Sequence, residues 1–210
     1  MLDRLAYIKS VLDALYWLKR GSFLHQIGWF KSYHQKLPIT NTNQPLPWFT
    51  YSFISFLEKR LHKTMVVFEY GSGNSTFWWA ERVSQVISCE HSPEWYNKIK
   101  SELPSNVNLL FCQLDTGGDY AHAVANYKTT FDIVVIDGRD RVNCAKNALG
   151  ALKEDGVIIW DNSDRKTYAD GYQYLLDNGY KRLDFTGMGP INTWAWSTSI
   201  FYPENNCLGI

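Results

Sequence analysis

The sequence predicts an α/β fold: a doubly wound, mostly parallel, seven-stranded sheet with helices on both faces, an antiparallel edge strand and an N-terminal helical cap. Two observations support this prediction. Short apolar runs alternate with helical patterns from residue 51 to the end, which is typical of a parallel sheet covered on both faces. Only a glycine-rich loop at residues 187–190 joins the last two runs, so these two runs should pair antiparallel at one edge.

Each predicted element has a local signal. The strands are apolar runs at residues 65–70, 85–90, 107–113, 131–137, 157–161, 181–186 and 197–202. The helices lie at residues 51–61, from about Ser75, from Pro93 and at 143–152. Ser92 before Pro93 indicates a helix start, because serine caps the first turn and proline fits its first position.

Residues 1–48 form the predicted cap, and residues 49–210 form the main domain. In the first twenty residues, apolar side chains recur at three- and four-residue steps, at Leu5, Ile8, Leu12, Leu15 and Leu18. Residues 22–50 are expected to be irregular, because prolines interrupt them near their end. Such a cap covers a substrate, shields the core or holds a second subunit, and a homodimer through the N-terminal helix is one expectation.

Composition narrows the classes of partner. The chain has 210 residues with 21 basic and 21 acidic side chains, so no long-range field draws it to nucleic acid or to an anionic membrane. No apolar run is long enough to span a bilayer, which takes about 18 residues or more. The four cysteines form no C-x-x-C pair and are expected to be reduced thiols. We therefore expect a cytoplasmic protein with no nucleic-acid or membrane partner.

The most informative segment joins a buried strand, a glycine turn and a helix start at residues 66–76. Ligands of open α/β sheets bind beyond the carboxyl ends of the strands, where this turn lies. Gly71 and Gly73 allow a ligand to approach the backbone closely. A nicotinamide-dinucleotide fingerprint would have a third glycine at position 76, where this chain has Thr76.

Two carboxylates accompany the turn. Glu69 precedes it and would repel a pyrophosphate, whereas it would attract a ligand that carries an ammonium group. Glu90 ends the next strand, about twenty residues after the glycines, where an acidic residue binds the ribose hydroxyls of an adenosine cofactor. S-adenosylmethionine has both an ammonium group and a ribose.

The glycine turn, its two carboxylates and the strand order resemble those of the class I S-adenosylmethionine-dependent methyltransferases. The resemblance covers about residues 47–205 and implies that residues 49–210 form a Rossmann-like methyltransferase domain. The family's third glycine falls on Ser75 here, and Asp115 resembles the acid that contacts the adenine amino group. The implied cofactor-binding residues are Glu69, Gly71, Ser72, Gly73, Asn74, Ser75, Glu90, His91, Asp115 and Asp137.

Carboxylates also end the fourth and fifth strands. Asp137, Asp161 and Asn162 offer hard oxygen ligands at one corner of the predicted cleft, a set that suits Mg²⁺. The pattern is similar to that of metal-dependent O-methyltransferases of the catechol type, but no lysine matches the base of that group. In the alternative, Asp137 lines the cofactor or acts as the base while Asp161 and Asn162 cap a loop. Asp137 and Asp161 are the predicted catalytic residues.

The predicted function is methyl transfer from S-adenosylmethionine to a small-molecule or sugar-like acceptor, and the strand-end carboxylates favour oxygen as the acceptor atom. Trp48 and Tyr51 could wall the site, as could Trp194 and Trp196 from the late loop. The nearby arginines either hold an acidic substrate or are solvated surface charges; they are Arg139, Arg141 and Arg165. Two alternatives stay open: a nicotinamide-dependent oxidoreductase, and a non-catalytic cofactor-binding or scaffolding subunit.

Overall fold

The computed structural model describes residues 2–210 and contains one seven-stranded sheet. The strands are β1 (Val66–Tyr70), β2 (Gln85–Glu90), β3 (Val107–Phe111), β4 (Phe131–Ile136), β5 (Leu152–Asp161), β6 (Lys181–Gly187) and β7 (Trp196–Tyr202). Their spatial order is β3-β2-β1-β4-β5-β7-β6. Strands β1 to β5 pair in parallel, and β7 runs antiparallel to β5 and β6 at one edge. The predicted fold class is confirmed.

The helices are α1 (Leu2–Arg20), α2 (Phe23–Gln26), α3 (Trp29–Gln35), α4 (Tyr51–Glu58), α5 (Asn74–Ala80), α6 (Pro93–Ile99), α7 (Asp119–His122), α8 (Arg141–Ala148) and α9 (Ala169–Asp177). Two differences from the sequence prediction have clear causes. The segment predicted to be irregular contains α2 and α3, because Ser22 caps the first and Gly28, at φ +82°, begins the second. Helix α9 was missed because Gly171 lowers its helix propensity; a Cβ there would lie 2.5 Å from the Trp160 ring.

The sheet is buried on both faces, as the continuous apolar strands require. Alternate side chains of the central strands enter opposite cores. Phe68, Val134 and Trp160 pack towards α7, α8 and α9 in one core. Val67, Val135 and Ile159 pack with α4 and α5 in the other. Each such side chain stabilises the fold by about 1.5–3 kcal/mol.

The second half of the predicted cap packs against the sheet domain. Trp29 and Leu46 are buried in the same core as the β1 and β4 side chains. The Trp29 indole Nε1 donates to the Asn192 carbonyl at 2.8 Å, and the Asn74 amide donates to the Pro38 carbonyl at 2.8 Å. Residues 22–48 therefore hold both the loop before β7 and the start of α5.

The first helix differs from the rest of the cap. Along α1 the large apolar side chains from Leu5 to Leu18 are exposed, Leu5 at 66% and Leu12 at 60%. Throughout the described chain, every helix is too short or too polar to cross a membrane. The apolar side chains of helix α1 are therefore left uncovered, whereas the rest of the cap and the sheet domain are well packed.

Candidate active site

Four parallel strands bring their carboxyl ends together at one edge of the sheet. Strand register places Tyr70 opposite both Cys89 and Ile136, and Ile136 opposite Trp160. The residues that follow these positions, Glu90, Gly71, Asp137 and Asp161, therefore form a row across that edge. A cavity of about 720 Å³ lies over the row.

The cavity has two ends. The first is lined by Gly71, Ser72, Ser75, Glu90, His91 and Gly138, and the second by Trp48, Arg139, Arg141, Asn162, Asp164, Arg165, Asn192, Trp194, Ala195 and Trp196, with Asp137 and Asp161 between them. The first end contains five of the ten residues predicted to bind the cofactor. The second is assembled from the cap, the strand ends and the β6–β7 loop.

The floor of the first end is backbone. Gly71 has φ +91°, a conformation that favours glycine. A Cβ on Gly71 would lie 3.3 Å from the Gly138 Cα, and a Cβ on Gly138 would lie 1.9 Å from the Tyr120 hydroxyl oxygen. The turns after β1 and β4 therefore pack directly against each other, which no other residue type would allow.

Glu69 lies beneath the glycine turn and does not line the cavity. It is 1% exposed, and Thr76 Oγ1 and Ser88 Oγ donate to its Oε2 at 2.6 and 3.2 Å. Burial raises the pKa of this carboxyl to about 7. Gly73 N donates to the same Thr76 hydroxyl at 3.0 Å. Glu69 therefore stabilises the glycine turn from beneath, through the Thr76 hydroxyl that also bonds to the Gly73 amide.

Three further predicted cofactor residues also lie outside the cavity lining. Gly73 is within the turn, and the Asn74 side chain faces the cap. Asp115 is exposed on the loop after β3, with its carboxylate folded over Gly118. The structure therefore gives Asp115 no place in the cavity wall, because its loop turns outwards before α7.

Glu90 supplies the carboxylate of the first end, and hydrogen bonds hold it in place. Only 4% of it is exposed. Its Oε1 accepts from the backbone amides of His91 and Ser92, at 2.8 Å each. Its Oε2 accepts from the Ser72 amide at 3.2 Å and from Ser72 Oγ at 2.7 Å. Hydrogen bonds to a carboxylate are strong, so its position is fixed.

Arg141 joins the ends of β4 and β5. Its guanidinium donates to the Asp137 carbonyl at 2.9 Å, to Asp137 Oδ1 at 3.0 Å and to the Asp161 carbonyl. Its Nε donates to the Gly138 carbonyl at 3.0 Å. Arg141 is only 7% exposed, so of the two alternatives a solvated surface charge does not describe this residue.

Asp137 and Asp161 lie side by side in different environments. Asp161 is 3% exposed, and its Oδ1 accepts from Trp196 Nε1 at 2.9 Å and Thr198 Oγ1 at 2.6 Å. Burial, reinforced by the Asp137 charge, raises the Asp161 pKa to about 8. Burial raises the Asp137 pKa to about 6, against the opposing effect of Arg141. At neutral pH the pair thus carries mainly one negative charge, on Asp137.

The predicted magnesium ligands do not fit a metal ion. The Arg141 guanidinium already supplies the positive charge at Asp137, and two donors already occupy Asp161 Oδ1. Across residues 2–210 there is no group of three acidic, histidine or cysteine side chains with metal-binding geometry. A divalent cation there would lie beside the buried positive charge of Arg141, which four hydrogen bonds hold in place.

Comparison with known proteins agrees with this geometry. A family model described as a methyltransferase domain matches residues 68–163. Among solved structures, precorrin-6y C5,15-methyltransferase from Geobacter metallireducens superposes with a TM-score of 0.57 at 15% identity, over 72% of this chain and 87% of that one. A Streptococcus mutans protein in complex with SAH (S-adenosylhomocysteine) gives 0.51 at 13% identity, over 70% and 94%. A search of curated proteins found no match.

Spermidine synthase from Thermotoga maritima has the same fold, with a TM-score of 0.51 at 16% identity over 73% of this chain. This chain covers 56% of that enzyme's length. At such identities the structures show a shared fold alone. The sheet order and the glycine turn are those of the class I methyltransferase fold, and the match of residues 68–163 to a methyltransferase-domain model supports S-adenosylmethionine-dependent methyl transfer.

Sequence reasoning named Arg141 and Trp196 as candidate site residues but missed that they hold the two aspartates. Arg141 follows Asp137 by four positions and is the first residue of α8, so the ion pair closes the turn between β4 and α8. The spacing of these two opposite charges was the sign of the ion pair that the sequence offered. Trp196 and Thr198 reach Asp161 only through the antiparallel pairing of β7 with β5, which no local pattern specifies.

Proposed function

We propose that the protein transfers the methyl group of S-adenosylmethionine to an oxygen of a small-molecule or sugar-like acceptor, without a metal ion. The main support for this proposal is the position of Asp137, an ionised carboxylate in the cavity wall between the glycine turn and the tryptophan-lined end. Cytoplasmic location and the absence of a nucleic-acid partner are part of the proposal; the free cysteines support the first and the balanced net charge supports the second.

The first end of the cavity would hold the cofactor. Glu90 would accept hydrogen bonds from the ribose hydroxyls, one of which replaces the Ser72 hydroxyl on Oε2. His91, Ser75 and the bare backbone of Gly71 line the remaining wall of this end. When bound, the cofactor supplies an activated methyl group, whose C–S electron pair stays on sulfur.

Asp137 would act as the general base. It accepts the proton of the acceptor hydroxyl while the oxygen forms its bond to the methyl carbon. Arg141 fixes the carboxylate by two hydrogen bonds to the Asp137 residue. Protonated Asp161 offers a neutral neighbour, so Asp137 keeps its charge at neutral pH. Orientation of this kind contributes roughly 7–11 kcal/mol of rate acceleration.

The direct test is transfer of radiolabelled methyl from S-adenosylmethionine to a panel of hydroxyl, amine and carbon acceptors. Reactions run in EDTA and in Mg²⁺. We expect a methyl ether or ester product that forms equally fast in both. Product on amines or carbon alone would contradict the oxygen assignment, and a product that requires Mg²⁺ would contradict the metal-free mechanism.

We also propose that residues 1–48 act as a cap and that α1 pairs with its copy in a homodimer. The exposed side chains of Leu5, Ile8, Leu12 and Leu15 follow the spacing of a coiled-coil seam. Sedimentation should show a dimer that Leu12→Asp dissociates and the neighbouring Asp13→Asn leaves intact. A monomeric wild-type protein, or one that binds lipid vesicles through α1, would contradict this pairing.

A further inference from the structure

Two arginines at the tryptophan-lined end have no function in the proposed chemistry. Arg139 and Arg165 are exposed side chains in the cavity wall. The ion pairs found within residues 2–210 include Arg141 but neither Arg139 nor Arg165. Arg165 makes a long hydrogen bond, 3.4 Å, to the Tyr168 hydroxyl. Both guanidinium groups are therefore available to a ligand.

The acidic residues at this end do not cancel those charges. Asp137 is paired with Arg141, and burial keeps Asp161 protonated at neutral pH. Asp164 accepts from the Ser197 amide at 3.0 Å, which stabilises the loop after β5. The exposed charges at this end are therefore two cations, Arg139 and Arg165, against one anion, Asp164, and this end of the cavity favours an anion.

Two tryptophans line the same end with much of their surface uncovered. Trp48, at the end of the cap, is 44% exposed, and Trp194, in the β6–β7 loop, is 63% exposed. Both are in the cavity wall. By contrast, Trp196 is buried and its indole is committed to Asp161. An exposed tryptophan in a cleft provides a flat apolar face for a ring of the ligand.

We infer that the acceptor is a ring compound that carries a carboxylate or phosphate group, such as an acidic sugar. Its ring packs against Trp48 and Trp194, and Arg139 and Arg165 bind its anion. Arginine suits this function because its planar fork pairs with two oxygens of a carboxylate or phosphate. This inference rests on the proposed function, since it names the acceptor class of the same site.

The test uses the full chain saturated with SAH and measures binding of ring probes by saturation-transfer NMR. Glucuronate and glucose 6-phosphate each present an anion on the ring, and glucose is the neutral partner. We expect at least one anionic probe to bind tenfold more tightly than glucose, and the better of the two identifies carboxylate or phosphate. Trp194→Ala should weaken the anionic probe several-fold.

Charge-matched variants separate the site from the overall field of the protein. The double variant Arg139→Gln, Arg165→Gln should lose the preference for the anionic probe. The control Lys128→Gln, Lys146→Gln removes the same charge from exposed positions outside the cavity lining and should keep it. Equal binding of glucose and both anions, no binding of either anion, or an unchanged preference in the arginine variant would overturn the inference.

Binding of SAH and preference for an anionic ring can be lost independently. If wild-type protein does not bind SAH, the proposed function fails. If it binds SAH and yet shows no preference for an anionic ring, only the acceptor assignment fails.

Discussion

The two ends of the cavity are built in different ways. The first end comes from the glycine turn, Gly138 and the segment around Glu90, and the hydrogen bonds of Glu90 join residues at most 18 positions apart in the chain. The second end draws on the cap, two strand ends and the β6–β7 loop, and its key contacts join residues far apart in sequence. The first end is thus built from local contacts, and the second depends on long-range pairing of the sheet.

The largest effect is expected for a substitution of Asp137, which lies between the two ends of the cavity. Asp137→Asn removes the proposed base but keeps the shape of the residue. Methyl transfer to the best acceptor in the panel should fall by about 10²–10⁴-fold, because a positioned base contributes that much, whereas SAH affinity should change little. The exposed Asp170→Asn is the matched control. Full activity in Asp137→Asn would show that another group takes the proton.

The next effect is on stability. Arg141→Gln leaves the partly buried Asp137 without its cation and removes hydrogen bonds to the ends of both β4 and β5. The free energy of unfolding should fall by about 3–5 kcal/mol, the usual cost of breaking a buried ion pair from one side. Urea unfolding measures it, with the exposed Lys146→Gln on the same helix as control. A loss below about 1 kcal/mol would mean that Arg141 does not hold the strand ends together.

A pH dependence sharpens the distinction between Asp137 and Asp161. Burial raises the Asp161 pKa from 3.8 to about 8, so between these values the folded state holds a proton that the unfolded state releases. Stability should therefore decline as pH rises through this window, by at most about 1.4 kcal/mol per pH unit from one group. In Asp161→Asn the decline should be smaller. An equal decline in wild type and variant, measured by urea unfolding at several pH values, would place the titration elsewhere.

Activity should have the opposite dependence at lower pH. Burial raises the Asp137 pKa to about 6, and the base must be ionised. The methyl-transfer rate should therefore rise as pH increases through about 6 and level off near 7. A pH profile of kcat measures this, and a rate that is constant from pH 5 to 7 would contradict Asp137 as the base.

The smallest expected effect concerns the first end alone. Ser72→Ala removes the hydroxyl that competes with the ribose for Glu90 Oε2. Since one such hydrogen bond contributes about 0.5–1.5 kcal/mol, SAH affinity should rise two- to tenfold. Ser92→Ala is the control, because its hydroxyl caps α6 instead. A clear fall in affinity in Ser72→Ala would mean that this hydroxyl itself contacts the cofactor.

The contrast between the two ends of the cavity also explains which parts of the site could be predicted from the sequence. The cofactor end follows from local chemistry: Glu90 is fixed by the amides of the next two residues, and Gly71 by its positive φ. The environment of Asp161 depends on the β5–β7 register, which brings Thr198 opposite it. Helix α9 escaped prediction for a related reason, since Gly171 is explained by its packing against Trp160. Long-range pairings of this kind leave no periodic trace in the sequence.

Calorimetric titration of SAH into EDTA-treated protein tests the central claim most directly. The account predicts one site per chain, with an affinity that Mg²⁺ does not change, that Glu90→Ala lowers by tenfold or more, and that the exposed Glu94→Ala leaves intact. Absence of binding by the folded wild-type protein, or the same affinity in folded Glu90→Ala as in wild type, would contradict it.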